Sequence, residues 1–132
     1  MKPALSHVAY IDADPDILCI AEIGLQIGGK LSAALIHGPQ LALEQLVRAA
    51  PDVILLDVMM PGTDGPTLLQ EIHRHPLLAK TPVIFMTARV QQQEVAHYLA
   101  IGAIGVISKP FDVMTLADDV RKIWSDWNGA AA

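Results

Sequence analysis

Residues 51–65 read PDVILLDVMMPGTDG, and this stretch decides the fold of the chain. An apolar run at 53–56 ends on a carboxylate, Asp57, and turn-forming Pro-Gly and Asp-Gly pairs follow it. A short apolar run with such boundaries predicts a strand buried on both faces, and strands of that kind occur in parallel sheets covered by helices. Asp57 then lies at the carboxyl end of its strand, where open α/β sheets bind ligands. It is therefore either a structural turn residue or the reacting group of a site.

The composition indicates one globular domain, because the chain has 132 residues, is 52% hydrophobic and has a mean hydropathy of +0.39. No apolar run is long enough to span a bilayer and no signal peptide is visible, so we expect no membrane insertion. The net charge of −5 argues against a nucleic-acid surface. The only cysteine, Cys19, is expected to be a small core or interface residue in a reducing compartment, the cytoplasm.

Strand and helix patterns alternate over residues 7–128, between a lead-in at 1–6 and a tail at 129–132 that is expected to fray. The predicted strands are residues 7–11, 31–37, 53–56, 82–86 and 105–108. The predicted helices run from Pro15 to Gly28-Gly29, from Gly38-Pro39 to Pro51, over 66–75, over 90–100, and onward from an N-cap at Asp112. Five βα units in succession require a parallel sheet with helices on both faces. We predict a flavodoxin-like, doubly wound α/β fold with five parallel strands in the order 2-1-3-4-5 and five helices.

The first predicted helix is unusually apolar. Between Ile17 and Ile27 only Glu22 and Gln26 are clearly polar. A helix that is apolar nearly all round is buried on more than one side. Its second side is either additional core or a docking face for a partner.

Polar side chains follow four predicted strands: Asp12 with Asp14, then Asp57, Thr87 and Lys109. Facing carboxylates repel unless a cation or a proton lies between them, and Mg²⁺ prefers oxygen ligands. A hydroxyl and an ammonium group would suit an added phosphoryl group. The set describes a site where a carboxylate is phosphorylated. Thr87 could instead be a helix N-cap, and Asp14 is a stronger candidate for a cap than for a metal ligand.

At this point the chain resembles the receiver domains of two-component response regulators, and among them the chemotaxis response regulators. The resemblance rests on five motifs: DADPD at 12–16, DVMMPGTDG at 57–65, MTA at 86–88, GA at 102–103 and KPF at 109–111. It implies a bacterial signalling protein in which Asp57 takes a phosphoryl group from a histidine kinase or a histidine phosphotransfer protein. Lys109 would bridge to that group, with Thr87 and Ala88 binding it as the switch.

The resemblance also implies a Mg²⁺ ion held by Asp12, Asp57 and the backbone carbonyl of Met59, joined by Asp14 if that side chain turns inward. The usual second acid after the first strand is Ala13 here, so we expect Mg²⁺ to bind weakly. The usual aromatic switch residue of the last strand is Val106, which has no ring to rotate.

Two positions that influence attack of water on the phosphoryl group in this family are Met59 and Arg89. Met59 cannot orient a water molecule, so we expect slow autodephosphorylation. Beyond that self-catalysed chemistry, no enzymatic activity is expected.

The leading hypothesis is a stand-alone receiver that acts by binding partners or relaying phosphate. The first helix, with Ile17 and Leu18, is expected to meet the kinase. Tyr98, Ile104 and Val106, with the last helix, would form an output or homodimer surface.

Two other functions compete with this one. A pseudo-receiver would use the same fold as a phosphorylation-independent interaction module, and Ala13 and Val106 favour it. A flavodoxin-like flavin or nucleotide binder is disfavoured, because the first strand is followed by acidic residues rather than by a glycine-rich phosphate loop.

Overall fold

Five parallel strands form the centre of the computed structural model, which describes residues 4–88 and 90–131. The elements follow in the order β1 (His7–Asp12), α1 (Pro15–Glu22), a π-helical segment (Ile23–Gly28), β2 (Ser32–His37), α2 (Ala42–Ala49), β3 (Val53–Asp57), β4 (Met59–Met60), β5 (Thr63–Asp64), α3 (Gly65–Arg74), β6 (Val83–Thr87), α4 (Gln92–Ala100), β7 (Gly105–Ser108) and α5 (Leu116–Ala131).

The main sheet has the strand order β2-β1-β3-β6-β7, and all its pairs are parallel. β4 and β5 form a separate two-residue antiparallel hairpin directly after Asp57. With that hairpin set aside, the order is the predicted 2-1-3-4-5, and the prediction of a flavodoxin-like fold is confirmed. The order reverses between β1 and β3, so the ends of these two strands border the crevice where such sheets bind ligands.

The core consists of two apolar layers, one on each face of the sheet. Ile54 and Leu56 of β3 belong to one layer, and Val53 and Leu55 belong to the other. All four are fully buried, and each such side chain contributes about 1.5–3 kcal/mol to folding. Burial on both faces explains why β3 reads as a continuous apolar run instead of an alternating one.

Carboxylates set several helix starts. Asp14 caps α1 by accepting from the backbone N–H of Asp16 at 2.9 Å, as predicted. Asp64, which the sequence reading overlooked, caps α3 by accepting from the N–H of Thr67 at 2.8 Å. Asp112 is not the predicted N-cap of the last helix, because α5 begins only at Leu116; its side chain instead accepts from the N–H of Met114 at 2.8 Å in the preceding turn.

The structure excludes one alternative role of Thr87, that of a helix N-cap. α4 begins at Gln92, later than predicted, whereas Thr87 is the last residue of β6. Thr87 is therefore not the N-cap of that helix. A connecting loop separates the strand from the helix and leaves the threonine at the sheet edge.

The chain ends also differ from expectation. α5 continues to Ala131, so the tail expected to fray from Gly129 is helical here, in keeping with the high helix propensity of alanine. At the start of β1, the N–H groups of Ser6 and His7 both donate to Asp52. Residues 1–3 of the predicted lead-in and Ala132 of the tail lie outside the described residues.

Two further observations concern the helices. Cys19, expected in a core or an interface, is exposed on α1. Among the described residues, no helix has the length and apolar character that crossing a membrane would require.

The π-helical segment passes very close to α5 and to the turn before it. A Cβ atom at Gly24 would lie 2.7 Å from the carbonyl oxygen of Val113, and one at Gly29 would collide with the side chain of Ala117. The guanidinium of Arg121 donates to the carbonyl of Gly29. Glycine is therefore needed at positions 24 and 29, where the backbone approaches its neighbours most closely.

Gly24→Ala is expected to lower the free energy of unfolding by about 1–3 kcal/mol, because the obstacle is a backbone carbonyl that cannot rotate away. Urea denaturation measures the effect. Gly28→Ala is the matched control, since the nearest atom to its Cβ is 4.0 Å away; alanine there should leave stability unchanged or raise it by up to about 1 kcal/mol. Equal losses in both variants would contradict the close approach at Gly24.

Candidate functional site

The carboxyl ends of four strands bring together the predicted polar residues. Asp12 ends β1, Asp57 ends β3 and Thr87 ends β6, and their exposed fractions are only 1%, 5% and 4%. Lys109 follows β7, and its backbone N–H donates to the carbonyl of Thr87 at 2.9 Å. That hydrogen bond continues the β6–β7 pairing and places the lysine side chain at the same edge of the sheet.

The Lys109 ammonium group lies between the two buried carboxylates. Its Nζ atom is 3.0 Å from Oδ2 of Asp12 and 3.3 Å from Oδ1 of Asp57. Burial alone would lower the pKa of Lys109, but the hydrogen bond and charge of Asp12, followed by those of Asp57, raise it above its ordinary value. The ammonium group therefore stays charged at neutral pH.

The surroundings of Asp57 disfavour its ionised form. Burial, followed by repulsion from Asp12, raises its pKa above the usual value. Lys109 and the backbone N–H of Met59, which donates to Oδ1 at 3.2 Å, oppose that rise only in part. An ionised Asp57 is consequently a high-energy group that gains from any further positive charge.

Asp12 accepts hydrogen bonds on both oxygens. The Tyr10 hydroxyl donates to Oδ2 at 2.8 Å, the oxygen that Lys109 also contacts, and the N–H of Asp14 donates to Oδ1 at 2.9 Å. Burial and the charge of Asp12 raise the pKa of Tyr10 far above its ordinary value, so it remains a donor. The sequence reading missed Tyr10, although its position two residues before Asp12 on one strand places both side chains on one face.

The family resemblance implies a second acid at position 13, but that residue is alanine. A cation at this site would therefore have one carboxylate ligand fewer. The Asp14 side chain is exposed and caps α1, so it is not turned toward Asp12. Across residues 4–88 and 90–131, no cluster of three His, Cys, Asp or Glu side chains could hold a metal. Asp12 and Asp57 carry the oxygen ligands that a hard cation such as Mg²⁺ accepts, and such an ion keeps several waters.

The predicted partner surfaces need correction at two residues. Leu18 and Tyr98 have exposed fractions of 5% and 7%, because Leu18 packs in the core and the Tyr98 ring packs edge-on against Phe85 at 5.0 Å. Neither offers an exposed docking contact. Ile17, Ile104 and Val106 are partly buried.

The exposed apolar side chains of the first helical region are instead Ile20, Ile23 and Ile27, exposed by 47%, 53% and 76%. Two other predicted positions lie just after strands β3 and β6, Met59 in the short strand β4 and Ala88 in a loop. Met59 is largely exposed and Ala88 is exposed, whereas Arg89 lies outside the described residues.

Comparison with known proteins gives consistent results. The model of the response regulator receiver domain family matches residues 8–121. The chain is 34% identical over 122 residues to RpaA, a DNA-binding dual master transcriptional regulator of a Synechocystis species. This match covers 90% of the present chain and 49% of RpaA. The chain is 38% identical over 107 residues to the DNA-binding transcriptional regulator NtrC of Escherichia coli K12, covering 80% and 22%. The chain thus spans about half or less of these relatives.

Two solved structures share the fold over nearly their full length. A response regulator from Chloroflexus aurantiacus superposes with a TM-score of 0.79 at 27% identity, covering 94% of this chain and 99% of that one. The chemotaxis protein CheY4 of Vibrio cholerae superposes with a TM-score of 0.81 at 25% identity, covering 91% and 99%.

Asp57→Asn is expected to raise the free energy of unfolding at pH 7 in EDTA. Because the folded-state pKa of Asp57 is raised, the folded state holds the proton more tightly, and stability falls as pH rises from the unfolded pKa through the folded one. Asparagine keeps the shape without the charge. Denaturant unfolding from pH 3 to pH 7 should show the difference between variant and parent growing above about pH 4.

Asp52→Asn should behave in the opposite way. Burial acts to raise the pKa of Asp52, but hydrogen bonds from His7 and Ser6 outweigh it and hold the pKa below its usual value. The ionised group therefore stabilises the fold at neutral pH, and that contribution is lost as pH falls through the lowered pKa.

For Asp57→Asn, a free energy of unfolding below that of the parent at pH 7 would contradict the conclusion that ionised Asp57 destabilises the folded state.

Proposed function

The chain belongs to the response regulator receiver domain family, and on that premise we propose that it is a cytoplasmic phosphorylatable receiver whose phosphoacceptor is Asp57. The phosphoryl donor would be a histidine kinase or a histidine phosphotransfer protein, the classes with which receiver domains interact. The observation that carries the proposal is the contact of the partly buried Lys109 ammonium with the buried carboxylates of Asp57 and Asp12 at the strand ends.

Oδ2 of Asp57 is the candidate nucleophile. In the part of the chain that the structure describes, both hydrogen bonds recorded for this carboxylate go to Oδ1. In the proposed step, a lone pair of Oδ2 attacks phosphorus, a P–O bond forms, and the P–N bond to the donor imidazole breaks. The imidazole leaves with that electron pair and takes up a proton, so the product is an acyl phosphate on Asp57.

Lys109 and Thr87 supply the surrounding groups. The Lys109 ammonium is already within bonding distance of Asp57 and can offset the charge of the added phosphoryl oxygens. The hydroxyl of Thr87 lies at the adjoining strand end and can donate to one of those oxygens. Ala88, the exposed loop residue that follows Thr87, would also contribute to binding the phosphoryl group.

Receiver domains generally bind Mg²⁺ at the acidic phosphorylation site. When bound, the ion neutralises negative charge on the carboxylates and on the transferring group. In this chain Asp12, Asp57 and the carbonyl of Met59 would hold it. We infer weak binding, since Ala13 contributes no oxygen and the Asp14 side chain is engaged as a helix cap.

The donor protein would dock on the apolar surface formed by Ile20, Ile23 and Ile27, with the half-buried Ile17 at its edge. This surface belongs to the helical region that begins three residues after Asp12. Hydrogen-exchange protection of residues 17–27 on mixing with a purified phosphotransfer protein checks the assignment. Unchanged exchange in that segment would contradict it.

A second candidate is a pseudo-receiver that binds partners without phosphorylation. It is favoured by Ala13 and by the ammonium of Lys109, which already bridges both carboxylates without a phosphoryl group. Val106, half-buried opposite Phe85, also lacks the ring that the usual switch would move.

Incubation with acetyl phosphate and millimolar Mg²⁺ should add the mass of one phosphoryl group, as measured by intact-protein mass spectrometry. Asp57→Asn should remove the gain completely, since the amide is not a nucleophile. Asp126→Asn, a change at an exposed acid on α5, should keep it. Ala13→Asp restores the missing acid and should lower the Mg²⁺ concentration needed for half-maximal labelling.

The two functions give opposite results in this assay. An unlabelled parent protein, beside a responsive receiver treated identically, would establish the pseudo-receiver. Labelling that persists in Asp57→Asn would move the phosphoacceptor to another residue.

Phosphorylated protein should lose its label slowly. Met59 is exposed beside Asp57 and carries only a thioether, a weak acceptor that cannot orient an attacking water. Met59→Asn should shorten the lifetime several-fold, whereas Met114→Asn, at an exposed methionine elsewhere, should not. Mass spectra taken over time in phosphatase-free buffer measure the decay. Loss of the parent label within seconds would refute the expectation.

A further inference from the structure

Tyr10 is a buried polar residue that the proposed phosphoryl chemistry does not use. It is fully buried in the middle of β1, and its hydroxyl donates to Oδ2 of Asp12 at 2.8 Å. A buried hydroxyl destabilises a fold unless it is hydrogen-bonded. Its neighbours across the sheet, Leu35 and Leu55, are apolar, so the bond to Asp12 is what satisfies this hydroxyl.

The geometry of the strand explains how a residue so deep in the core reaches the site. Residues 10 and 12 point to the same face of β1, about 7 Å apart along the strand. A phenol ring spans roughly that distance and carries its donor to the carboxylate. A shorter or wholly apolar side chain at this position would fill the core without contacting Asp12.

The ring of Tyr10 also has an aromatic neighbour. The ring packs against Phe111, with centroids 6.4 Å apart and an interplanar angle of 60°. Phe111 lies two residues after Lys109, whose ammonium contacts the same Oδ2 of Asp12. The N–H of Asp14 occupies Oδ1. Asp12 is thus fixed by three donors from three different positions in the chain.

We propose that Tyr10 is a positioning residue that orients Asp12 as a cation ligand in a site where Ala13 supplies no second acid. The inference rests on the proposed function, since it concerns the Mg²⁺ ion that the phosphorylation site uses. With only two carboxylates available, binding depends strongly on each of them being held in a productive orientation. Hydrogen bonds from outer residues orient metal ligands, and losing one weakens metal binding by about 10–100-fold.

Tyr10→Phe removes the hydroxyl and keeps the ring that packs against Phe111. We expect Mn²⁺, a paramagnetic substitute for Mg²⁺, to bind about tenfold more weakly to the variant, as measured by electron paramagnetic resonance of the free ion. Mg²⁺ competition against Mn²⁺ should give the same ratio. Tyr98→Phe is the matched control, because it deletes the same atom from another buried tyrosine whose ring packs on Phe85; its affinity should equal that of the parent.

Labelling by acetyl phosphate separates positioning from general damage. For Tyr10→Phe the Mg²⁺ concentration giving half-maximal labelling should rise about tenfold, while the rate at saturating Mg²⁺ returns close to that of the parent. A lower rate at saturation with unchanged Mg²⁺ dependence would overturn the inference and indicate a merely structural role. Phe111→Leu, which removes the ring that packs against Tyr10, should shift the Mg²⁺ dependence in the same direction by a smaller factor.

Failure of the inference and failure of the proposed function give different results. Equal Mn²⁺ affinity in Tyr10→Phe and in the parent overturns the role of Tyr10, and labelling of the parent at Asp57 then leaves the proposed function intact. A parent protein that neither binds Mn²⁺ nor takes a label overturns both.

Discussion

Repulsion between two carboxylates buried at one edge of the sheet is the constraint to which the rest of the structure responds. Two unit charges about 4 Å apart interact by about 4 kcal/mol at an effective dielectric constant of about 20, which is a large fraction of the stability of a small domain. The ammonium of Lys109 offsets part of this repulsion at Asp12 and Asp57. Burial of Asp57, followed by the repulsion from Asp12 that remains, raises the pKa of Asp57, so the fold holds a carboxylate that further positive charge would stabilise.

Sequence patterns predict the architecture and most of the site, because both follow from simple rules. Continuous apolar runs that end on polar residues identify the buried strands, and βα alternation leaves one strand order as the leading choice. Parallel strands end at the same edge, which brings Asp12, Asp57 and Lys109 together. The same rules treat Tyr10 as an apolar strand residue, since only the three-dimensional structure shows that its hydroxyl reaches Asp12.

The errors of the sequence reading arise where local geometry is not encoded in a pattern. Leu18 and Tyr98 are apolar residues on helices, and spacing alone does not decide which apolar side faces the core. After Glu22 the helix widens into a π-helical segment, so helical periodicity no longer assigns faces, and Ile27 becomes highly exposed. The sequence pattern predicts too early a start for α4, which begins at Gln92, because the length of the preceding loop carries no periodic signal.

The short segment after Lys109 connects the charged site to the first helical region. Phe111 packs on Tyr10, which bonds Asp12, and Val113 lies against Gly24 with no space for a methyl group between them. Phe111 and Val113 thus join the segment after Lys109 to β1 and to the π-helical segment that carries Ile23 and Ile27. Val106, on β7, has no aromatic ring. The charged site is therefore connected by packing contacts to the exposed isoleucine surface, in addition to its direct connection to β7 through Lys109.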